Sequence, residues 1–269
     1  MRIALISDIH GNTVALDAVL ADLGNVGTDL VLCLGDIAAG GPDPVGAVER
    51  IDRLACPVVM GNTDADVVDT PAWWSDPAAV GAPAAATRVV EISLWAAGQL
   101  PPHLQGFLRG LPPLVNLDLG DAGTLLGFHG SPASPTDIIT PATSPDELDR
   151  MLGEHLRERL LVGGHTHVPL LLRHGSSTIV NPGSVGMPFG AYGTAGDVPV
   201  LPPASYALIT TQGPKINIDF REIEVDERKL AREVTSSRMP HAEWWLGLRG
   251  RPRLGGSDSR TGAARPTSG

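Results

Sequence analysis

Arg2-Ile3-Ala4-Leu5-Ile6-Ser7-Asp8-Ile9-His10 runs from four consecutive apolar residues to a carboxylate and an imidazole. A short apolar run ending in polar residues is the pattern of a buried strand. The arrangement recurs. Leu30-Val31-Leu32-Cys33-Leu34 leads into Gly35-Asp36, and Val58-Val59-Met60 into Gly61-Asn62-Thr63-Asp64. Thr124-Leu125-Leu126-Gly127-Phe128 leads into His129-Gly130, and Leu160-Leu161-Val162 into Gly163-Gly164-His165-Thr166-His167. Carboxylate, imidazole and carboxamide groups therefore gather where strands end. Ligands of open α/β sheets bind beyond the carboxyl ends of the strands. Hard oxygens and borderline nitrogens collected there suit divalent metals.

Between these blocks the first 60 residues alternate strand and helix, a βαβαβ order that starts a parallel sheet. The helix after His10 takes Asn12 or Thr13 as N-cap and Gly24 as its stop, with Leu16, Val19, Leu20 and Leu23 on the inward stripe. A second helix begins near Asp43-Pro44, with Val48, Ile51 and Ala55 inward. Residues 65–113 break the rhythm with Trp73-Trp74, an Ala/Pro-rich stretch and helices expected near 84–99 and 102–109. They read as a helical insertion rising over the strand ends, either a lid or surface packing. A hairpin follows at 114–119 and 124–128, then a helix at about 145–157 announced by the capping box Ser144-Pro145-Asp146-Glu147. Short strands are expected at 168–173, 177–180, 205–210 and 215–224. Together these elements predict an α/β fold: a four-layer α-β-β-α sandwich of two mixed sheets flanked by helices. Residues 1–248 form one domain. The Gly/Pro-rich loop at 186–203 is long enough to be functional. From Arg249 the chain loses all periodicity, and 249–269 reads as a disordered tail.

Composition narrows the partners. The 269 residues carry a net charge of −10; 249–269 holds five arginines and one aspartate, +4, which leaves −14 on the rest. An acidic body lacks the clustered Lys and Arg that grip a nucleic-acid backbone, so a nucleic-acid polymer is disfavoured. A small anion is not excluded, because bound metals invert the local charge. Cys33 and Cys56 lack CxxC spacing and read as buried thiols. No apolar stretch reaches the ~18 residues of a membrane span. The expectation is a cytoplasmic protein without membrane association.

Taken singly, each block is weak: an Asp-x-His is commonly a surface pair, a Gly-Asp or Gly-Asn a turn. Jointly they are not, since four of the eight histidines fall inside the blocks. In this order they resemble the calcineurin-like metallophosphoesterases, over a stretch from Arg2 to about Glu224. The resemblance implies two divalent ions (Mn, Fe, Zn, Co or Ni, with Mn the first choice for assay). Asp8, His10, Asp36 and His167 would hold one; Asp36, Asn62, His129 and His165 the other, with Asp36 bridging. His165 and His167 are two apart and would point to opposite faces of a strand, so the chain must turn there, and Gly163-Gly164 are expected to make the turn. The chemistry implied is hydrolysis of a small phosphoester by a hydroxide bridging the two metals, with Asn62 also placed to donate its amide to the phosphoryl group. Asn12, at the start of the helix aimed at the site, and Thr63 are expected beside the substrate. Many family members carry His where this chain has Thr63, and a Thr hydroxyl is no general acid near neutral pH. That departure resembles a small bacterial and archaeal phosphodiesterase-like branch and favours phosphodiesters with good leaving groups. The alternatives are a phosphomonoesterase or protein phosphatase using the same metals, or a scaffold that only binds. Asn181-Pro182-Gly183-Ser184 reads as a strand-ending turn.

Overall fold

β1 (Arg2–Ile6) divides its side chains between two cores: Ile3 and Leu5 enter one, Ala4 and Ile6 the other, all fully buried. Burying a Leu or Ile contributes ~1.5–3 kcal/mol, so a one-residue slip of this strand is opposed from both faces. The structure, a computed structural model, describes residues 1–77, 81, 84–190 and 199–249.

β2 (Leu30–Cys33) pairs parallel with β1. The chain returns to the other side of β1 only at β8 (Ala204–Gln212), antiparallel, and β9 (Lys215–Ile223) closes a four-stranded sheet ordered β2-β1-β8-β9. The second sheet uses β3 (Val115–Asp118), β4 (Thr124–Gly127), β5 (Leu160–Val162), β6 (Leu170–His174) and β7 (Ser177–Asn181), ordered β3-β4-β5-β7-β6. Its three central strands are parallel and its two edges antiparallel.

The two sheets meet through Ile3, Leu5, Leu32 and Leu34 on one side and Leu125, Leu160, Val162 and Val180 on the other. The outer face of the first sheet is covered by α1 (Thr13–Val26), α2 (Pro44–Leu54), α7 (Glu227–Ser236) and α8 (Ala242–Leu248), through Leu16, Val19, Val48, Ile51, Leu230 and Trp245. α6 (Pro145–Leu152) covers the outer face of the second with Leu148, Met151 and Leu152. The expected four layers are therefore present.

Four local expectations are corrected. α1 does not stop at Gly24 but runs to Val26, because an interior glycine costs only ~1 kcal/mol; Gly27, with φ 68°, ends it by donating to the Leu23 carbonyl at 3.1 Å. Ala55 does not face inward: it is exposed and caps α2 with φ 49°. The third run, Val58-Val59-Met60, is reduced to one parallel bridge between Val58 and Cys33. Arg249, expected at the head of a tail, is buried and paired with Glu227 at 2.9 Å; the rest of that segment lies outside the described residues, as do residues 191–198 of the long loop.

In the 65–113 segment, α3 (Asn62–Val68) is followed by α4 (Ala84–Gln99) and α5 (Pro102–Arg109), which pack on α2 and α3. Ile92, Ala96, Leu104 and Leu108 share one core with Val48 and Ile51. These helices extend the outer helical layer of the first sheet. Among the described residues no helix is long and apolar enough to cross a membrane.

Candidate metal centre

Asp8 follows β1, Asp36 follows β2, His129 follows β4, and His165 and His167 follow β5, so all converge at one end of the sandwich. Asp8, His10 and His167 form one group of donors and Asp36, His129 and His165 a second, with the donor atoms of each group within 4.8 Å of one another. His10 Nε2 lies 3.1 Å from His167 Nε2, and His167 Nε2 lies 3.3 Å from Asp8 Oδ1. Asp36 Oδ2 stands between the groups, 3.4 Å from His129 Nε2 and 3.7 Å from His10 Nε2. Asn62 opens α3 beside them, and Thr63 donates its backbone N–H to Asp36 Oδ1 at 2.9 Å.

The backbone is bent to achieve this. Asp8, His10, Asp36, His165 and His167 all have positive φ, between 48° and 69°. Non-glycine residues seldom adopt this region, though Asp and His tolerate it best, and such strain concentrates at functional sites. It answers how His165 and His167, two apart, reach one centre: the histidines themselves make the turn. Gly163 and Gly164 instead supply room. A Cβ on Gly163 would come within 2.5 Å of the Phe128 ring, and one on Gly164 would collide with Ser7 Oγ.

Three imidazoles are fixed from behind. Nδ1 of His10 bonds the Ala39 carbonyl at 2.6 Å, that of His129 the Leu34 carbonyl at 2.6 Å, and that of His167 the Met187 carbonyl at 2.7 Å. A backbone carbonyl accepts only, so each Nδ1 carries the proton and each Nε2 faces the centre, the usual arrangement behind a metal-ligating histidine.

The electrostatics match. Burial pushes the Asp8 carboxyl up, but His167 and His129 outweigh it and hold it below the usual range. Burial likewise raises Asp36, and His129 and His10 outweigh it. Burial lowers His129, yet Asp36 and Asp8 lift it to about 10. Burial, then His167, lowers His10; burial, then His129, lowers His165. Both carboxylates are thus ready as ligands, and metal binding would displace protons from the raised imidazoles. Asp8 Oδ1, Asn62 Oδ1 and His129 Nε2 are buried without a hydrogen-bond partner. Burying such atoms unpaired is unfavourable; one divalent ion at Asp8 and a second at Asn62 and His129 would satisfy all three. Two carboxylates, four imidazoles and a carboxamide, with no thiolate, fit a pair of first-row divalent ions.

Residues 1–211 match the family model described as the calcineurin-like phosphoesterase superfamily domain. The chain belongs to that superfamily. An uncharacterized protein of Methanocaldococcus jannaschii is 30% identical over 264 residues, spanning 92% of this chain and 96% of the relative. The crystal structure of a metallophosphoesterase from Sphaerobacter thermophilus is similar with a TM-score of 0.68 at 27% identity, covering 92% of this chain and 98% of that one. A hypothetical protein from Pyrococcus horikoshii OT3 shares the fold at a TM-score of 0.72 and 22% identity, covering 92% and 97%. Membership carries metal-dependent phosphoester hydrolysis as the class of activity.

The remaining site residues hold this phosphoesterase centre in place. Asn12, expected beside substrate, is fully buried and uses both ends of its carboxamide inside the protein: Oδ1 caps α1 at Ala15 N, and Nδ2 donates to the Gly186 carbonyl, each at 3.0 Å. Thr63 Oγ1 is buried without a partner. Several residues escaped the sequence reading. Asp64, fully buried, accepts from Ile37 N at 2.9 Å, Ala38 N at 3.3 Å and Gly61 N at 3.3 Å, tying the loop after Asp36 to the start of α3. Its signal was present as the acid at the end of the Gly61-Asn62-Thr63-Asp64 block. The Asn181-Pro182-Gly183-Ser184 turn does form, with Gly183 at φ 81°. It does more than end a strand: Asn181 Nδ2 holds the Gly164 carbonyl at 2.5 Å, and Ser184 Oγ donates to the Asp8 carbonyl at 2.7 Å. From the far end of the chain, Trp245 Nε1 donates to the Gly40 carbonyl at 2.6 Å, next to the Ala39 carbonyl that orients His10. Arg249 Nη1 donates to the Gly186 carbonyl at 3.0 Å, next to the Met187 carbonyl that orients His167. No sequence pattern announces these two.

Proposed function

We propose that this protein is a phosphodiesterase that works with two divalent ions, one held by Asp8, His10 and His167, the other by Asp36, His129, His165 and Asn62. The observation that carries the reading is the pair of adjacent donor groups with Asp36 Oδ2 between them. When bound, such ions generate a nucleophile from water at neutral pH and neutralise charge developing on the phosphoryl oxygens. The chain's own residues supply the rest. Nδ1–H bonds to backbone carbonyls fix the imidazole tautomers, and Asp64 holds Asp36 and Asn62 in register. Asn62 Nδ2 is a neutral donor for a phosphoryl oxygen.

The preference for good leaving groups, which activated diesters carry, rests on Thr63. A hydroxyl cannot protonate a departing oxygen near pH 7, so the leaving group must depart as a stable anion. Aryl and strained cyclic diesters meet that demand. The ion-pair partners of Asp8 and Asp36 within 4.0 Å are all histidines among the described residues, so no Lys or Arg competes with the metals for these carboxylates. The test is hydrolysis of bis(4-nitrophenyl) phosphate and 4-nitrophenyl phosphate, side by side, with each of Mn, Co, Ni and Zn and with chelator. A higher kcat/KM for the diester, abolished by chelator, is expected. A monoester preference, or turnover indifferent to chelator, overturns the reading.

A further inference from the structure

A small pocket of about 150 Å³ opens beside the second donor group. His129, a member of that group, and Gly61, next to Asn62, both line it and are buried. Its walls are Met60 and Ala65 on the α3 side, Pro113, and residues 131–135 of the loop after β4, three of them Pro or Ala and two Ser. Among the described residues that line it His129 alone is titratable, and no Lys or Arg is there to receive a second phosphate.

The loop wall is preformed. Ser131 Oγ donates to Asp137 Oδ2 at 2.6 Å and accepts the backbone N–H groups of Ala133 and Ser134, each at 3.1 Å. A Cβ on Gly130 would come within 2.7 Å of the Pro135 and Asp137 carbonyls, so the loop is wound tightly on itself. Its polar groups are thus satisfied internally, and prolines and an alanine are presented to the pocket. A rigid, uncharged, largely apolar wall binds a flat apolar group with little ordering entropy to lose. An apolar cavity of about 150 Å³ in another protein accommodates benzene, which sets the size of the occupant at one ring.

Resting on the phosphoesterase reading, we propose that this pocket is the ester-group subsite: it holds a single six-membered ring of an aromatic phosphodiester while the phosphoryl group lies at the metals. The subsite agrees with Thr63, since an aryl oxide needs no proton donor to leave. It disfavours substrates whose ester group carries further phosphates, for which the walls provide no cation.

Phenylphosphonate and methylphosphonate, neither of which can be hydrolysed, serve as probes of the Mn-loaded protein by calorimetry. Phenylphosphonate should bind roughly 10–100-fold more tightly, the effect of burying one ring at ~25 cal/mol per Å². Ala65→Leu and Ala133→Leu fill the pocket from opposite walls. Ala133 is exposed, so its variant does not disturb the core. Each should bring the ratio of the two affinities toward one. Equal affinities in the wild type, or a ratio unmoved by both variants, overturns the subsite while leaving the phosphoesterase reading standing. Failure of both phosphonates to bind the Mn-loaded protein overturns the two together.

Discussion

Replacing Asp64 by asparagine should make stability cross over with pH. Asp64 is fully buried, and burial together with Asp36 raises its carboxyl from 3.8 to about 6. A carboxyl whose folded pKa lies above its unfolded one holds more protons folded than unfolded between the two values. Its contribution is therefore fully present below pH 3.8 and is lost as pH rises through about 6. A gap of about two units corresponds to about 3 kcal/mol at 1.36 kcal/mol per unit. The carboxamide of Asp64→Asn does not titrate, so the variant escapes this loss. It keeps an acceptor for Ile37 N–H and Ala38 N–H but turns an NH₂ toward Gly61 N–H, which forfeits one bond and leaves a buried donor unpaired, a cost of ~1–3 kcal/mol at every pH. In chelator, urea unfolding should therefore show the variant less stable than wild type at pH 4. The deficit should shrink by about 3 kcal/mol, to parity or reversal, at pH 7. A wild-type-minus-variant difference that stays flat from pH 4 to pH 7 refutes the argument that this carboxylate is held ionised against burial. In the same variant, loosening Gly61 should weaken metal binding roughly 10–100-fold, as expected when a group behind a ligand is lost, so activity should recover with excess metal.

Asp36→Ala removes the one carboxylate placed between both donor groups; hydrolysis should vanish and metal content fall at both sites, whereas near-normal turnover at full occupancy rules out its bridging role. Chains truncated after Arg249 should melt and turn over like the full chain, because 250–269 has no apolar pattern to bury. Arg249→Ala should weaken metal binding at the Asp8, His10 and His167 group, and a metal titration identical to wild type contradicts that. Thr63→His should raise kcat/KM for an alkyl phosphoester by up to ~10²–10⁴-fold and leave an aryl diester little changed; equal effects on both mean the position does not act on the leaving group.

The strand ends were legible because Ile3 to Ile6, Val31 to Leu34 and Leu160 to Val162 are buried on both faces, which writes an unbroken apolar run into the sequence. The ligands were legible because each follows such a run directly. What pairs with β1 on its second side was not. β8 lies some 200 residues away, and no local pattern encodes that closure. Glycine misled twice for opposite reasons. Gly24 is tolerated inside a helix, while Gly163 and Gly164 are required for close approach rather than for a turn. His165 and His167 carry the positive φ that would ordinarily be assigned to glycine. The residues that orient the ligands were hardest to see, because Asp64, Asn181, Trp245 and Arg249 act on backbone groups. Such contacts depend on where the chain comes to lie, not on the identity of its neighbours in sequence.

Whether the two donor groups hold two metals side by side can be read from anomalous scattering by crystals grown with Mn²⁺. Two peaks ~3.5–4 Å apart are expected, the separation of two-metal hydrolytic sites. One should touch Asp8, His10 and His167, the other His129, His165 and Asn62, with Asp36 between them. A single peak, or peaks that avoid these side chains at saturating Mn²⁺, would contradict it.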